Sequence, residues 1–321
     1  MKKIFIAGHN GMVGSHIYAL LKKTKNKLIT IEKKKLNLLD QSKVFKFLKE
    51  KKPDQIYICA AIVGGINANN IYSAKFLYEN LIIASNLIHG AMINNIKKIL
   101  YLGSSCIYPK KSKTPIKEEA LLSGYLENTN EGYAIAKICG IAMCKHYNKQ
   151  YKNKKVDYRA VMPCNLYGEG DNFDPNLGHV IPSVIYKLHK AKIQKKDKVY
   201  LWGDGKPKRE FLHVEDLASA CVHLMNMKKS EFYKNKFYEH YNIGSGKEIS
   251  IKNLSKVIAK VIDYEGKILF DKKELNGTIR KVMDISKIKS TGWNSMISLT
   301  DGIERTYNYF LSHYEKKLYK N

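Results

Sequence analysis

Two residues on one helical face can act as a chemical unit. Tyr133 and Lys137 sit four positions apart in Tyr133-Ala-Ile-Ala-Lys137, which stacks them on the same side if the stretch is helical. A phenol ordinarily titrates near 10 and is a poor proton carrier at neutral pH; a neighbouring ammonium favours phenolate and draws that value down. Such a pair can give a proton to a substrate oxygen or take one from it. The spacing alone is not specific, because a chain with 22 tyrosines and 56 lysines and arginines offers such pairs by chance on solvated faces.

The surrounding elements supply the context. Lys3 to Ala7 is a short apolar run of strand type, followed by Gly8-His-Asn-Gly11-Met-Val-Gly14 and the helical Ser15 to Lys23. Strand, glycine loop and helix is the arrangement that holds a dinucleotide. Glycines allow the tight turn and a close approach of backbone to pyrophosphate, and the helix N-terminus adds positive potential. Gly8, Gly11, Met12, Val13 and Gly14 are therefore candidate cofactor contacts. Lys27 to Ile31 is the next strand, and Glu32-Lys33-Lys34-Lys35 follows where the adenosine ribose belongs. Glu32 could hold a ribose 2′-hydroxyl as in NAD sites, whereas Lys33 could pair with the 2′-phosphate of NADP. Three cations against one carboxylate favour NADPH over NADH.

Gln41 to Lys51 is expected to be a helix, and Gln55 to Ala61 a strand ending in Ala60 and Ala61, small enough for a cofactor to lie against the backbone. Ile71 to Asn94 and Gly132 to Tyr151 read as long helices, with Ile99 to Leu102 and Val156 to Val161 as strands. Alternating strands and helices predict an α/β fold, a Rossmann-type doubly wound parallel sheet. Beyond about residue 165 the character changes to loops and shorter elements. Residues 1–165 are thus expected to form a dinucleotide-binding Rossmann domain. Residues 166–321 are expected to form mainly a smaller C-terminal substrate-binding lobe interleaved with it.

Composition narrows the classes. The formal charge of +27 invites nucleic acid or an anionic membrane as partner, yet the lysines are spread along the whole chain and no helix-turn-helix, RNP or zinc-finger signature is present. Neither partner is expected. Six cysteines without a C-x-x-C pair fit thiols in a reducing compartment, and no metal site is predicted. No run of apolar residues reaches membrane-spanning length, so a cytoplasmic protein is expected.

Gly103-Ser104-Ser105-Cys106-Ile107-Tyr108-Pro109 follows the strand Ile99 to Leu102, at the carboxyl edge where open α/β sheets bind ligands. With the glycine loop and the Tyr133/Lys137 pair, this resembles the extended short-chain dehydrogenase/reductase family. Further stretches narrow the match: Val63-Gly-Gly-Ile66, Met162-Pro-Cys-Asn-Leu-Tyr-Gly168, Asp171-Asn-Phe173, His179-Val-Ile-Pro182, Trp202-Gly203, Arg209-Glu-Phe-Leu-His213 and Gly277-Thr-Ile-Arg-Lys281. In that order they resemble the branch that epimerises a GDP-4-keto-6-deoxy sugar at C3 and C5 and reduces it at C4 with NADPH. The resemblance runs from Lys3 to about Trp293.

By that resemblance Tyr133 gives a proton to the C4 oxygen as hydride arrives, Lys137 activates it and binds the cofactor ribose, and Ser104 polarises the carbonyl. Hydride delivery builds negative charge on oxygen, which these donors answer. Cys106 and His179 match the epimerisation pair, since thiolate and imidazole can move the acidic protons flanking a ketone near neutral pH. Pro163, Asn165, Leu166 and His179 are implied to lie beside the cofactor. Lys187, Trp202, Arg209 and Lys281 match positions that hold the nucleotide sugar, and Asp271 is a candidate acceptor for the paired donors of guanine. Arg209 suits a diphosphate because a guanidinium fork matches phosphate oxygens. The family also implies a homodimer built on the long helices. The residues equally permit a reductase on a related GDP-4-keto sugar such as a heptose, with little or no epimerisation. A 4,6-dehydratase fits less well, because Ser105-Cys106-Ile107 stands where such enzymes place acids.

Overall fold

A six-stranded parallel sheet carries the chain, and the computed structural model describes residues 1–234, 240–271 and 279–314. Its first half runs β1 (Lys3–Ala7), α1 (Met12–Lys22), β2 (Lys27–Ile29), α2 (Gln41–Lys51), β3 (Gln55–Ile58), α3 (Ile66–Ile71), α4 (Ser73–Ile93), β4 (Lys98–Leu102), α5 (Glu131–Gln150) and β5 (Asp157–Pro163). β3 and β5 are buried along their whole length, as expected of strands covered by helices on both faces. The second half contributes β6 (Asn165–Tyr167), α6 (Val180–Ile193), β7 (Lys198–Trp202), β8 (Lys208–His213), α7 (Val214–Asn226), α8 (Lys229–Phe232) and β9 (His240–Ile243). It continues through β10 (Glu248–Ser250), α9 (Ile251–Ile262), β11 (Lys267–Asp271), β12 (Arg280–Lys281), α10 (Ser286–Lys289) and α11 (Leu299–His313).

The strand order β2-β1-β3-β4-β5-β9 reverses its winding between β1 and β3. That switch point is where a doubly wound sheet opens a crevice at the carboxyl ends of its strands. The predicted Rossmann-type sheet is the one observed. Two hydrophobic clusters form around it. The larger joins the sheet to α7 and to Met283, Ile285, Ile288 and Trp293 near the end of the chain. The smaller packs α6, β7, α9 and α11 around Ile185, Leu201, Ile258 and Phe310. β8 pairs with β6, β10 and β12, while β7 pairs with β11.

The boundaries differ from expectation in two places. α1 begins at Met12 instead of Ser15, because Gly11 is its N-cap and the last glycines of the loop already form its first turn. The helix expected from Ile71 to Asn94 is α4, and a short helix that was not expected, α3, precedes it, the two parted at Tyr72 (φ −109°, ψ 33°). The polar Ile66-Asn-Ala-Asn-Asn-Ile71 carries no apolar period. Its first turn is secured instead by Asn69 Nδ2, which donates to the carbonyls of Gly64 (2.9 Å) and Gly65 (3.0 Å). Among the described residues no helix is long and apolar enough to cross a membrane.

Candidate active site

The crevice begins at the glycine loop. Gly8 has φ +86°, and a Cβ there would stand 2.7 Å from the Ala60 amide nitrogen, so the exits of β1 and β3 touch through backbone. A Cβ on Gly14 would fall 2.1 Å from Gly8 O, which lets the first turn of α1 lie directly on the loop. Gly11 N closes the turn onto Gly8 O at 3.0 Å. No side chain caps α1, so the amides of its first turn, at Met12 and Val13, remain for an anionic group. Lys33 lies in an exposed turn closed by Lys35 N and Leu36 N on Glu32 O. Ala60 and Ala61 are half-buried at the exit of β3. This cradle fits a dinucleotide pyrophosphate with its ribose towards β2.

The reacting cluster sits at the next strand exit. Ser104 is extended (φ −162°, ψ 151°) and caps a single tight turn, Ser105–Ile107, by accepting from Cys106 N at 3.4 Å. Its side chain also hydrogen-bonds Tyr133 and Cys106. Lys137 Nζ donates to Leu102 O (2.8 Å) and lies 5.6 Å from the Tyr133 ring centroid and 5.1 Å from that of Tyr101. α5 comes this close to β4 because the Tyr101 ring occupies the side-chain space of Gly140, where a Cβ would be 2.3 Å from its Cζ. Ser104, Cys106, Tyr133 and Lys137, which belong to a loop and a distant helix, are thereby one group.

Their protonation departs from the sequence expectation. Burial drives the Tyr133 phenol well above its ordinary value, Cys106 adds to this, and only the Ser104 hydrogen bond opposes it. Burial likewise lowers Lys137 to about 8, against the pull of Cys106 and Cys59. The spacing predicts that the ammonium draws the phenol down; Lys137 does not enter the Tyr133 balance, and burial pushes both groups towards neutrality. The Cys106 thiol is raised by burial, with Lys281, the Ser104 hydrogen bond and Lys137 opposing in that order.

His179 enters from another side, as the residue before α6. Its Nδ1 is 3.2 Å from Oδ1 of the buried Asp171. Burial works to lower the imidazole, but the hydrogen bond and charge of Asp171 overcome it and the net shift is upward. The loop before His179 is locked onto the exit of β3. Gly65 N donates to Leu177 O at 2.9 Å, and a Cβ on Gly65 would meet Gly178 O at 2.6 Å. The glycine pair of Val63-Gly-Gly-Ile66 is therefore a backbone seat for that loop.

The candidate sugar-nucleotide residues form two groups. Lys187 Nζ stands 4.4 Å over the Trp202 ring, and Trp202 is in register with Asp271 across β7 and β11. Arg209 and Lys281 are in register across β8 and β12, so two cations share one end of this small sheet. Burial lowers Arg209 and Lys281 alike, and Glu127 opposes both shifts. Cys106 also acts on Lys281, which ties this cationic pair to the reacting cluster. Gly277 and Thr278 of the last motif lie outside the described residues. Asn165 spends its amide on Glu210 O (2.9 Å), so that side chain holds β6 to β8. Pro163 ends β5 and Leu166 packs against the larger core. Sequence reasoning missed Asp171 and Glu127 as partners. Asp171 stood in a recognised motif, but nothing in spacing pointed it at His179, and Glu127 carried no signal.

A parallel sheet with a glycine loop at its switch point and a Ser-Tyr-Lys cluster at the exit of β4 define a dinucleotide-dependent enzyme of the Rossmann class. The chain belongs to the NAD dependent epimerase/dehydratase family, whose model matches residues 4–244. It is 46% identical over 318 residues to a GDP-L-fucose synthase of Escherichia coli, covering 98% of both chains. Among solved structures it resembles a GDP-6-OMe-4-keto-L-xylo-heptose reductase from C. jejuni, with 34% identity, a TM-score of 0.90, and 97% and 98% of the two chains covered. It also resembles MlghC, a GDP-mannoheptose C4 reductase from Campylobacter jejuni with NADP bound, with 35% identity, a TM-score of 0.84, and 96% and 98% covered.

Proposed function

We propose that the protein reduces the C4 ketone of a GDP-linked 4-keto-6-deoxy sugar with NADPH, after epimerising that sugar at C3 and C5, as a GDP-L-fucose synthase does. The observation that carries this reading is the single cluster of Ser104, Tyr133, Lys137 and Cys106 beside the cationic pair Arg209 and Lys281. The 46% identity to a GDP-L-fucose synthase over 98% of both chains supports the bifunctional form.

NADPH bound at the glycine loop supplies the hydride. Gly8, Gly11, Met12, Val13 and Gly14 hold its pyrophosphate, Lys33 its 2′-phosphate, and Lys137 its nicotinamide ribose. For epimerisation Cys106 is the base and His179 the acid. Lys281 and Lys137 work against the burial that holds Cys106 as a thiol, while Asp171 favours imidazolium at His179. Proton removal at C3 or C5 leaves charge on the C4 oxygen, where Ser104 and Tyr133 donate, and His179 returns a proton to the opposite face. In the reduction Tyr133 protonates the C4 oxygen. Arg209 and Lys281 neutralise the diphosphate, and Lys187, Trp202 and Asp271 lie further along the nucleotide. Residues 1–165 serve mainly the cofactor and residues 166–321 mainly the substrate. A cytoplasmic homodimer accompanies this reading, supported by exposed Tyr72, Tyr78 and Ile135 at the long helices.

Incubation of GDP-4-keto-6-deoxymannose in deuterated water tests both halves. Without NADPH, deuterium should enter at C3 and C5; with it, one NADPH should be consumed per product. Stoichiometric NADPH use without deuterium would leave a reductase alone, and turnover without NADPH use would sink the proposal.

A further inference from the structure

We propose that Asp171 is a positioning residue for the epimerisation: it fixes the His179 ring by its Nδ1 and leaves Nε2 as the atom that exchanges a proton with the sugar. This rests on the function proposed above and names a residue that the resemblance left without a role.

The geometry carries the assignment. Asp171 is 4% exposed, and its Oδ1 accepts from Asn172 N at 2.8 Å while facing His179 Nδ1 at 3.2 Å. Its Oδ2 is buried with no hydrogen-bond partner. A carboxylate held in that state is costly unless a cation answers it, and protonated His179 is the cation beside it. The loop that presents Asp171 is anchored at both ends. On one side Glu169 Oε2 lies 3.2 Å from His213 Nε2 and 3.5 Å from His16 Nε2, tying the loop to α1 and to the start of α7. On the other, Gly65 seats Leu177 and Gly178.

Among the described residues few charged groups face the pair. Asp174 spends Oδ1 on the amides of Asn176 and Leu177, and the Val63 to Ile66 loop brings backbone and apolar groups. α6 contributes Ser183 N, bonded to His179 O. From α11 the Tyr314 hydroxyl reaches Asp171 O at 3.5 Å, with Tyr309 packed beside it. Asp171 is thus the charge that sets the protonation of His179.

NMR titration of labelled histidines gives a readout separate from turnover. His179 should titrate above the ordinary 6.5 in the wild-type protein and lower in Asp171→Asn. The raised value keeps the acid form to higher pH and is lost as pH rises through it. The alkaline limb of deuterium exchange at C3 and C5 should therefore move to lower pH in Asp171→Asn. The exchange rate should fall by about 10- to 100-fold more than C4 reduction of an already epimerised sugar falls. Asp171→Glu should restore part of both effects. An unmoved His179 titration, or equal losses in exchange and reduction with an unmoved pH limb, would reduce Asp171 to a loop cap and overturn the proposal. Wild-type exchange in His179→Ala would remove His179, and with it Asp171, from the epimerisation; absence of exchange in the wild-type protein would sink the epimerase reading itself, and the NMR titration judges the Asp171 contact independently.

Discussion

Gly65→Ala separates the two halves of the reaction by steric means alone. Gly65 has φ −66° and extended ψ, a conformation open to alanine, so the substitution introduces no backbone strain. What it introduces is a methyl group 2.6 Å from Gly178 O and 3.3 Å from Leu177 O. Ordinary contact begins near 3.4 Å, so the loop must retreat by about 0.8 Å at the residue next to His179. A misplacement on the order of 1 Å costs about 100-fold where a group must meet its reacting atom. Deuterium entry at C3 and C5, followed by mass spectrometry without NADPH, should fall by about 10- to 100-fold. NADPH oxidation with an already epimerised sugar should fall far less, because Ser104, Tyr133 and Lys137 lie on other elements. Overpacking should cost about 1–3 kcal/mol of stability, visible as a modestly earlier thermal transition. Wild-type exchange in a folded Gly65→Ala protein would refute the claim that this backbone contact sets the place of His179.

The remaining predictions concern the reduction and the cofactor. Tyr133→Phe should lower C4 reduction by about 100- to 10,000-fold with NADPH binding, followed by fluorescence, largely retained; near-normal turnover would remove its role as acid. Lys33→Ala should raise the Michaelis constant for NADPH and leave that for NADH unchanged, and an unaltered ratio would discard the 2′-phosphate assignment. Lys137→Met should abolish reduction and also change the pH dependence of stability in urea. Folded Lys137 titrates near 8 and unfolded lysine near 10.4, so in that window the unfolded chain binds more protons and wild-type stability gains with rising pH. Relative to Lys137→Met the gain should be on the order of 2–3 kcal/mol between pH 8 and pH 10, and a flat difference would contradict the burial argument.

Much of this was legible because it rests on local rules. The glycine loop announces itself through a strand before it and a helix after it, and the Tyr133 to Lys137 spacing survives in any helix. β3 and β5 could be read from apolar runs because burial on both faces needs no period. α3 could not, since it is polar and is secured by Asn69 reaching back to Gly64 and Gly65. Asp171 and Glu127 were hidden for a related reason. Each acts across the fold, Asp171 on a histidine beyond a loop and Glu127 on two cations of a separate sheet, and no spacing along the chain encodes such meetings. The sequence motif marked Gly64 and Gly65 without a reason; the reason is the Gly178 backbone at Gly65 and the Ala68 side chain at Gly64.

The largest disagreement between spacing and structure is also the most informative about direction. A lysine beside a tyrosine suggests a phenolate, the form that would accept a proton from an alcohol and so favour oxidation. In the fold, burial wins: Tyr133 is held as a phenol and Ser104 is bonded to it. A reductase needs that form, because the C4 oxygen gains negative charge and must be met by a proton already in place. The same burial that weakens the pair as a base therefore suits it as an acid. Enolate formation at C3 or C5 places its charge on the same C4 oxygen. In the proposed reaction one pair of donors, Ser104 and Tyr133, thus serves both stages, with Cys106 as base and His179 as acid at the carbons.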